Sequence, residues 1–142
     1  MSTSRPNGST IIPGMRYRDV RAAIDFLCTA FGFTRHAVYE NERGGVEHAQ
    51  LTYGNGMIML GEVRDDEFGK RIAQPSDIGG RETQCACVTV INCKSHYQQA
   101  LAAGATIIDD YAEKDYGGAG YSCRDPEGHL WYFGSYDPWH AS

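Results

Sequence analysis

The sequence has no long apolar run. No stretch approaches the roughly 20 consecutive apolar residues that a bilayer-spanning helix needs, so a helical membrane protein is not expected. The opening stretch, Met1–Ser9, is small and polar and lacks the apolar segment of a secretory signal. A cytoplasmic protein is therefore expected. Basic clusters are missing too. The 13 Lys and Arg are scattered and outnumbered by 18 Asp and Glu, and the net charge of −5 argues against a nucleic-acid binder. The five cysteines, Cys28, Cys85, Cys87, Cys93 and Cys123, include no zinc spacing, because the single C-x-C of Cys85 and Cys87 has no second pair. They read as reduced thiols that pack as small hydrophobes.

What is present is enough chain for one domain, 1–142. The 142 residues are 42% hydrophobic and 22% charged, which allows a core without disulfide staples.

A repeat runs through this domain. Ile11–Arg18 reads as a strand. Asp19 then caps a helix with Val20, Ala23, Ile24, Leu27 and Phe31 on one face, and Gly32 ends it. Phe33–Tyr39 and Val46–Tyr53 read as strands around the turn Glu42–Gly45, and Gly54-Asn55-Gly56 turns the chain into a fourth strand, Met57–Glu62. In the second half Cys85–Ile91 reads as a strand, and Asn92 caps a helix with Tyr97, Ala100 and Leu101 on one face, ended by Gly104. Strands follow at Thr106–Asp109 and Gly120–Arg124. After the turn Asp125-Pro126-Glu127-Gly128 comes a last strand, His129–Tyr136. Asp19 and Asn92 stand 73 positions apart, and Gly56 and Gly128 stand 72 apart. The expectation is two βαβββ modules, about 10–62 and 83–137, joined by a linker at 63–82. The linker and the irregular segment Asp110–Ala119 read as loops or lids.

Tyr17-Arg18-Asp19, Phe31-Gly32-Phe33, His48-Ala49-Gln50-Leu51, Gly56-Met57-Ile58-Met59-Leu60-Gly61, Ala102-Ala103-Gly104-Ala105 and Asp125-Pro126-Glu127-Gly128-His129-Leu130-Trp131 follow in order. In that order and spacing they resemble the vicinal oxygen chelate superfamily, which groups glyoxalases, bleomycin resistance proteins and dioxygenases. The resemblance implies an α+β fold in which the two modules form an open curved mixed sheet, a cup, with helices on the outer face. It also implies a homodimer.

Catalytic members of that superfamily hold a divalent metal with His, Glu or Gln, one each from the first, fourth, fifth and eighth strands. The matching positions here are Ile12, Met59, Cys85 and Tyr132. An alkyl group, a thioether, a thiol and a phenol are not the oxygen and nitrogen donors that such a cation requires. A slip of one residue offers Pro13, Leu60, Gln84 or Trp131, of which only Gln84 is a donor. No metal and no cofactor are expected.

By strand alternation the cup side should carry Arg16, His48, Gln50, Met57, Met59, Cys85, Cys87, Thr89, Leu130 and Tyr132. The opposite side should carry Met15, Tyr17, Ala49, Leu51, Ile58, Leu60, Val88, Val90, Trp131 and Phe133. His48 and Gln50 are polar anchors, and His48 is also a candidate base. Tyr116, Tyr121 and Trp139 join the candidate ligand contacts as stacking aromatics, with Tyr111 and Tyr136 nearby. The acidic stretch of Asp109, Asp110, Glu113 and Asp115 is either a solvated face or an attractor for a cationic ligand.

Three readings follow. The first is a protein that binds or sequesters an antibiotic or aromatic natural product without metal. The second is a glyoxalase-like lyase or isomerase, or a dioxygenase-type enzyme, with a non-standard site. The third is a thiol or soft-metal sensor using Cys85, Cys87, Met57 and Met59.

Overall fold

The computed structural model describes residues 8–140; the remainder, including most of the Met1–Ser9 stretch, lies outside the described residues. The first module runs β1 (Gly14–Tyr17), α1 (Val20–Phe31), β2 (Thr34–Glu40), β3 (Val46–Tyr53) and β4 (Gly56–Glu62). The second runs β5 (Ala86–Thr89), α2 (Cys93–Ala102), β6 (Thr106–Glu113), β7 (Ala119–Arg124) and β8 (Leu130–Gly134). Two short 3-10 turns, Gly69–Arg71 and Pro75–Ile78, occupy the stretch between them. The architecture is α+β with two βαβββ modules. The strands are hydrogen-bonded as two four-stranded mixed sheets, β1-β4-β3-β2 and β5-β8-β7-β6, and not as one. In each the outer pair is parallel, β1 with β4 and β5 with β8, and the rest is antiparallel.

Local chemistry sets the element ends. The Asp19 carboxylate accepts a hydrogen bond from the Ala22 amide at 3.0 Å, and the Asn92 side chain does the same for Ser95 at 3.1 Å. Gly32 closes α1 in the left-handed conformation at φ 84°, which a side chain would resist.

Three sequence expectations need correction. β1 begins at Gly14 rather than Ile11, because Pro13 has no amide to donate, although its carbonyl still accepts from the Met59 amide at 2.9 Å. Ile12 therefore precedes the strand. β6 continues to Glu113 through what read as an irregular segment. Its pairing with β7 shifts register between Ile107 and Asp109 and again between Asp109 and Ala112, and those irregularities hid the alternation. Finally, α2 buries Cys93, His96 and Ala100, while Leu101 is half exposed.

Alternation is as expected along β3, β4 and β8. In the first sheet Tyr17, Ala49, Leu51, Ile58 and Leu60 are buried, and in the second Trp131 and Phe133 are, with Val90 buried just past β5. Met15 and Val88, expected on the same side, are only half-buried, and β2 is exposed along most of its length. Burying each large apolar side chain contributes roughly 1.5–3 kcal/mol. The opposite face of each sheet carries half-exposed or exposed side chains.

The chain divides into two compact units. One holds the residues up to 28 with 32–72; the other holds 29–31 and the residues from 73 onward. The second unit has an aromatic core. Phe31 lies 5.4 Å from Trp131 and 4.7 Å from Phe133, measured between ring centres, and Trp131 and Phe133 are nearly parallel at 5.9 Å. His96 sits in this core. Its Nε2 faces the Phe31 carbonyl at 2.8 Å and must donate to it, so Nδ1 accepts from the Tyr121 hydroxyl at 2.6 Å. Both ring nitrogens are satisfied in the neutral form, and burial lowers the pKa of His96 despite the opposing effect of the Phe31 carbonyl. Among the described residues no helix is long and apolar enough to cross a membrane.

Candidate functional site

The open face of the first sheet is built in rows across its strands. Register places Arg16, Gly61 and His48 side by side on β1, β4 and β3, and Gly14, Met59 and Gln50 in the next row. Gly61 is central to the first row. A methyl group there would come within 3.3 Å of Arg16 Cδ and Nε, so the bare glycine leaves room for the arginine stem to lie across β4. That path lets Arg16 Nη1 donate to the Glu62 carbonyl at 2.9 Å and sets the guanidinium over the Phe68 ring, 5.2 Å from its centre.

Arg16, Gly14 and Gly61 border a cleft of about 460 Å³, which Arg64, Phe68 and Ile72 from the stretch after β4 also line. His48 and Met59 also line it. The His48 ring lies 5.7 Å from that of Tyr39, and its Nε2 is 3.4 Å from Gln50 Nε2. Met57 and Met59 are half-buried and do not belong to the core. Glu47 and Glu62 both approach Arg64, at 3.5 and 3.6 Å.

The second sheet repeats the plan with different side chains. Cys87, Tyr132 and Ser122 form one row, and Thr89, Gly134 and Gly120 the next. The Tyr132 ring lies over both glycines. A methyl group on Gly120 would stand 2.1 Å from the phenol oxygen, and one on Gly134 would meet the ring edge at 3.0 Å. The phenol shares a 2.9 Å hydrogen bond with Tyr116, whose ring stands edge-on to Tyr136 at 5.1 Å. Desolvation, reinforced by the Tyr116 hydroxyl, pushes the Tyr132 pKa up to about 12, so the phenol stays protonated at neutral pH.

The remaining candidates disperse. Cys85 precedes β5 and is exposed, as is Cys87. Desolvation, with Cys87 and Glu82 close by, raises the Cys85 thiol above its ordinary pKa, which does not favour a ready thiolate. Tyr121 is fully buried in the second unit's core beside His96 and lines no open face. Trp139 is 90% exposed in the turn after β8. Asp109, Asp110, Glu113 and Asp115 are all exposed, with Asp109 accepting from the Ser122 hydroxyl.

The metal implied by the catalytic members does not fit. Met59, Cys85 and Tyr132 offer a thioether, a thiol and a phenol, and Ile12 offers no donor, so the set lacks the imidazole and carboxylate groups of the catalytic members. Among the described residues no three His, Cys, Asp or Glu side chains gather as a metal set. The sequence reading missed the contribution of Arg64, Phe68 and Ile72. The only signal was a set of four large apolar residues in a mostly polar linker, Val63, Phe68, Ile72 and Ile78, and nothing in the sequence set Phe68 and Ile72 apart from the other two. It also missed His96, whose polarity disguised a core position.

Comparisons with known proteins agree with this architecture. The family model described as the Glyoxalase/Bleomycin resistance protein/Dioxygenase superfamily matches residues 12–133. An uncharacterized protein of Mycobacterium bovis is 28% identical over 122 residues, covering 86% of this chain and 80% of that one. The crystal structure of TioX from Micromonospora sp. ML1 superposes with a TM-score of 0.71 at 30% identity, over 89% of this chain and 98% of that one. The fosfomycin resistance protein FosX from Mesorhizobium loti shares the fold at a TM-score of 0.63 and 9% identity, over 92% and 93% of the two chains. By its family match over residues 12–133, this chain belongs to the Glyoxalase/Bleomycin resistance protein/Dioxygenase superfamily.

Proposed function

We propose that this protein binds a planar aromatic small molecule, such as an antibiotic or related natural product, on the open faces of its sheets. It sequesters that ligand without a metal and without converting it. The observation that carries this reading is the replacement of the metal-ligand positions by Met59 and Tyr132, each on an open face beside further soft or aromatic side chains. Methionine is polarizable and adaptable, and tyrosine offers a flat apolar surface with one polar tip. Both suit an aromatic ligand held by few hydrogen bonds. As is usual in the superfamily, the working form would be a homodimer.

The test is a thermal-unfolding screen of chelator-treated protein against bleomycin and a panel of planar heteroaromatic natural products, with mass spectrometry of the compounds afterwards. A ligand at 100 times its dissociation constant stabilises the fold by about 2.7 kcal/mol. The reading expects at least one aromatic compound to stabilise the protein and to be recovered unchanged. Chemical conversion of the stabilising compound, or no stabilisation by any compound, would sink it.

A further inference from the structure

The cleft of the first unit does not share the acidic balance of the molecule. The protein has a net charge of −5, yet the charged side chains lining this cleft are Arg16, Arg64 and Glu47, two cations to one anion. Glu47 lies towards Arg64, as does Glu62 from just outside the lining. The four acidic residues that could have drawn a cation, Asp109 to Asp115, belong to the other unit and are exposed.

The geometry around Arg16 is specific. Gly61 gives its stem a path across β4, the Glu62 carbonyl fixes one end of the guanidinium, and Phe68 supports its face. A guanidinium is planar, carries five N–H donors and pairs with carboxylates in a two-point fork. Met59 and Phe68 border the same space and supply soft apolar contacts. At about 460 Å³ the cleft is the size of a small-molecule site.

We propose that this cleft selects an aromatic acid: a planar ring system that rests against Phe68 and Met59 while its carboxylate, or an equivalent anionic group, is held by Arg16. The assignment rests on the aromatic-ligand reading above and adds the sign of the ligand's charge and the residue that reads it.

The probes are 2-naphthoate and its neutral counterpart 2-naphthamide, titrated into the full-length protein at low and moderate salt by fluorescence. Naphthoate should bind at least tenfold more tightly than the amide, and added salt should narrow the gap. Arg16→Met should reduce the ratio to near one, and Arg16→Lys should keep only part of it, because an ammonium has no fork. Phe68→Ser should weaken both probes, because both rest on that ring, and should lower the ratio less than Arg16→Met does. Arg16 and Phe68 both lie on the open side, and a matching circular dichroism spectrum will confirm that each variant is folded. The proposal is overturned if the amide binds as well as the acid, if Arg16→Met preserves the ratio, or if naphthoate does not bind. Equal binding of both probes would leave the aromatic-ligand reading standing and remove only the charge preference. Failure of every aromatic compound, charged or neutral, would remove both.

Discussion

The two sheets share one plan and use it differently. Gly61 and Gly134 occupy the same place, each between the parallel edge strand and the next, 73 positions apart. In the first sheet the bare glycine makes room for the stem of Arg16 from the neighbouring strand. In the second, Gly134 and Gly120 make room for the ring of Tyr132 from within β8. One module therefore presents a positive arm beside a cleft, and the other a flat phenol laid over the glycines of its sheet. The packed faces differ much less, both being continuous apolar layers. The two modules share the kind of layer that folds each of them and differ in the layer that meets solvent.

The largest effects should come from the layers the modules share. Phe133→Ala and Leu60→Ala should each destabilise strongly, by about 3–5 and 2–5 kcal/mol, as judged from urea unfolding. A loss below about 1 kcal/mol for either would contradict the assignment of that face to the core.

The glycines test the difference directly. Gly120→Ala should cost about 1–3 kcal/mol, because its methyl group displaces the Tyr132 ring and breaks the bond to Tyr116. Gly61→Ala should cost less than about 1 kcal/mol, since a flexible arginine can shift by a few tenths of an ångström. Spectrophotometric titration of the tyrosines should show Tyr132 ionising at lower pH in Gly120→Ala than in the parent, where its pKa is pushed up to about 12. Equal costs at the two glycines would remove the contrast.

His96 gives a pH signature to the second unit. The folded state holds it neutral with a lowered pKa, whereas the unfolded chain takes up a proton below about 6.5. The contribution is therefore complete above that pH and is lost as the pH falls through it. Melting temperatures should decline between pH 7 and 5, and the slope should be shallower in His96→Gln. An identical slope in the variant would show that other groups dominate.

The smallest effect belongs to the exposed ion pairs. The Arg21–Glu40 pair joins α1 to β2 at 2.7 Å with both side chains more than half exposed. Glu40→Gln should change stability by less than about 1 kcal/mol and less still in high salt. A larger loss would mean that the pair is more than a surface contact.

Much of this fold was legible in the sequence because its signals are local. Asp19, Asn92 and Gly32 mark helix ends by their own hydrogen bonding or backbone freedom, and period-two burial follows from strand geometry. β6 was harder to read because two register shifts interrupt its alternation. His96 was harder because a buried imidazole with two partners is polar only in composition. In the candidate site, the open-face positions of His48, Gln50, Met59, Cys87 and Tyr132 followed from alternation. Phe68 could not be placed, because its meeting with Arg16 depends on how an irregular segment folds back across 52 residues of chain. Nor could the glycine slot under Tyr132, which exists only once β7 and β8 are in register.

The most direct test of the account is ligand binding measured before and after removal of metal. Titration of an aromatic ligand into protein dialysed against a strong chelator, and again after adding one equivalent each of nickel, zinc and manganese, should give the same affinity throughout and no product. Loss of binding on chelation, with recovery or turnover on adding back one of these ions, would contradict it.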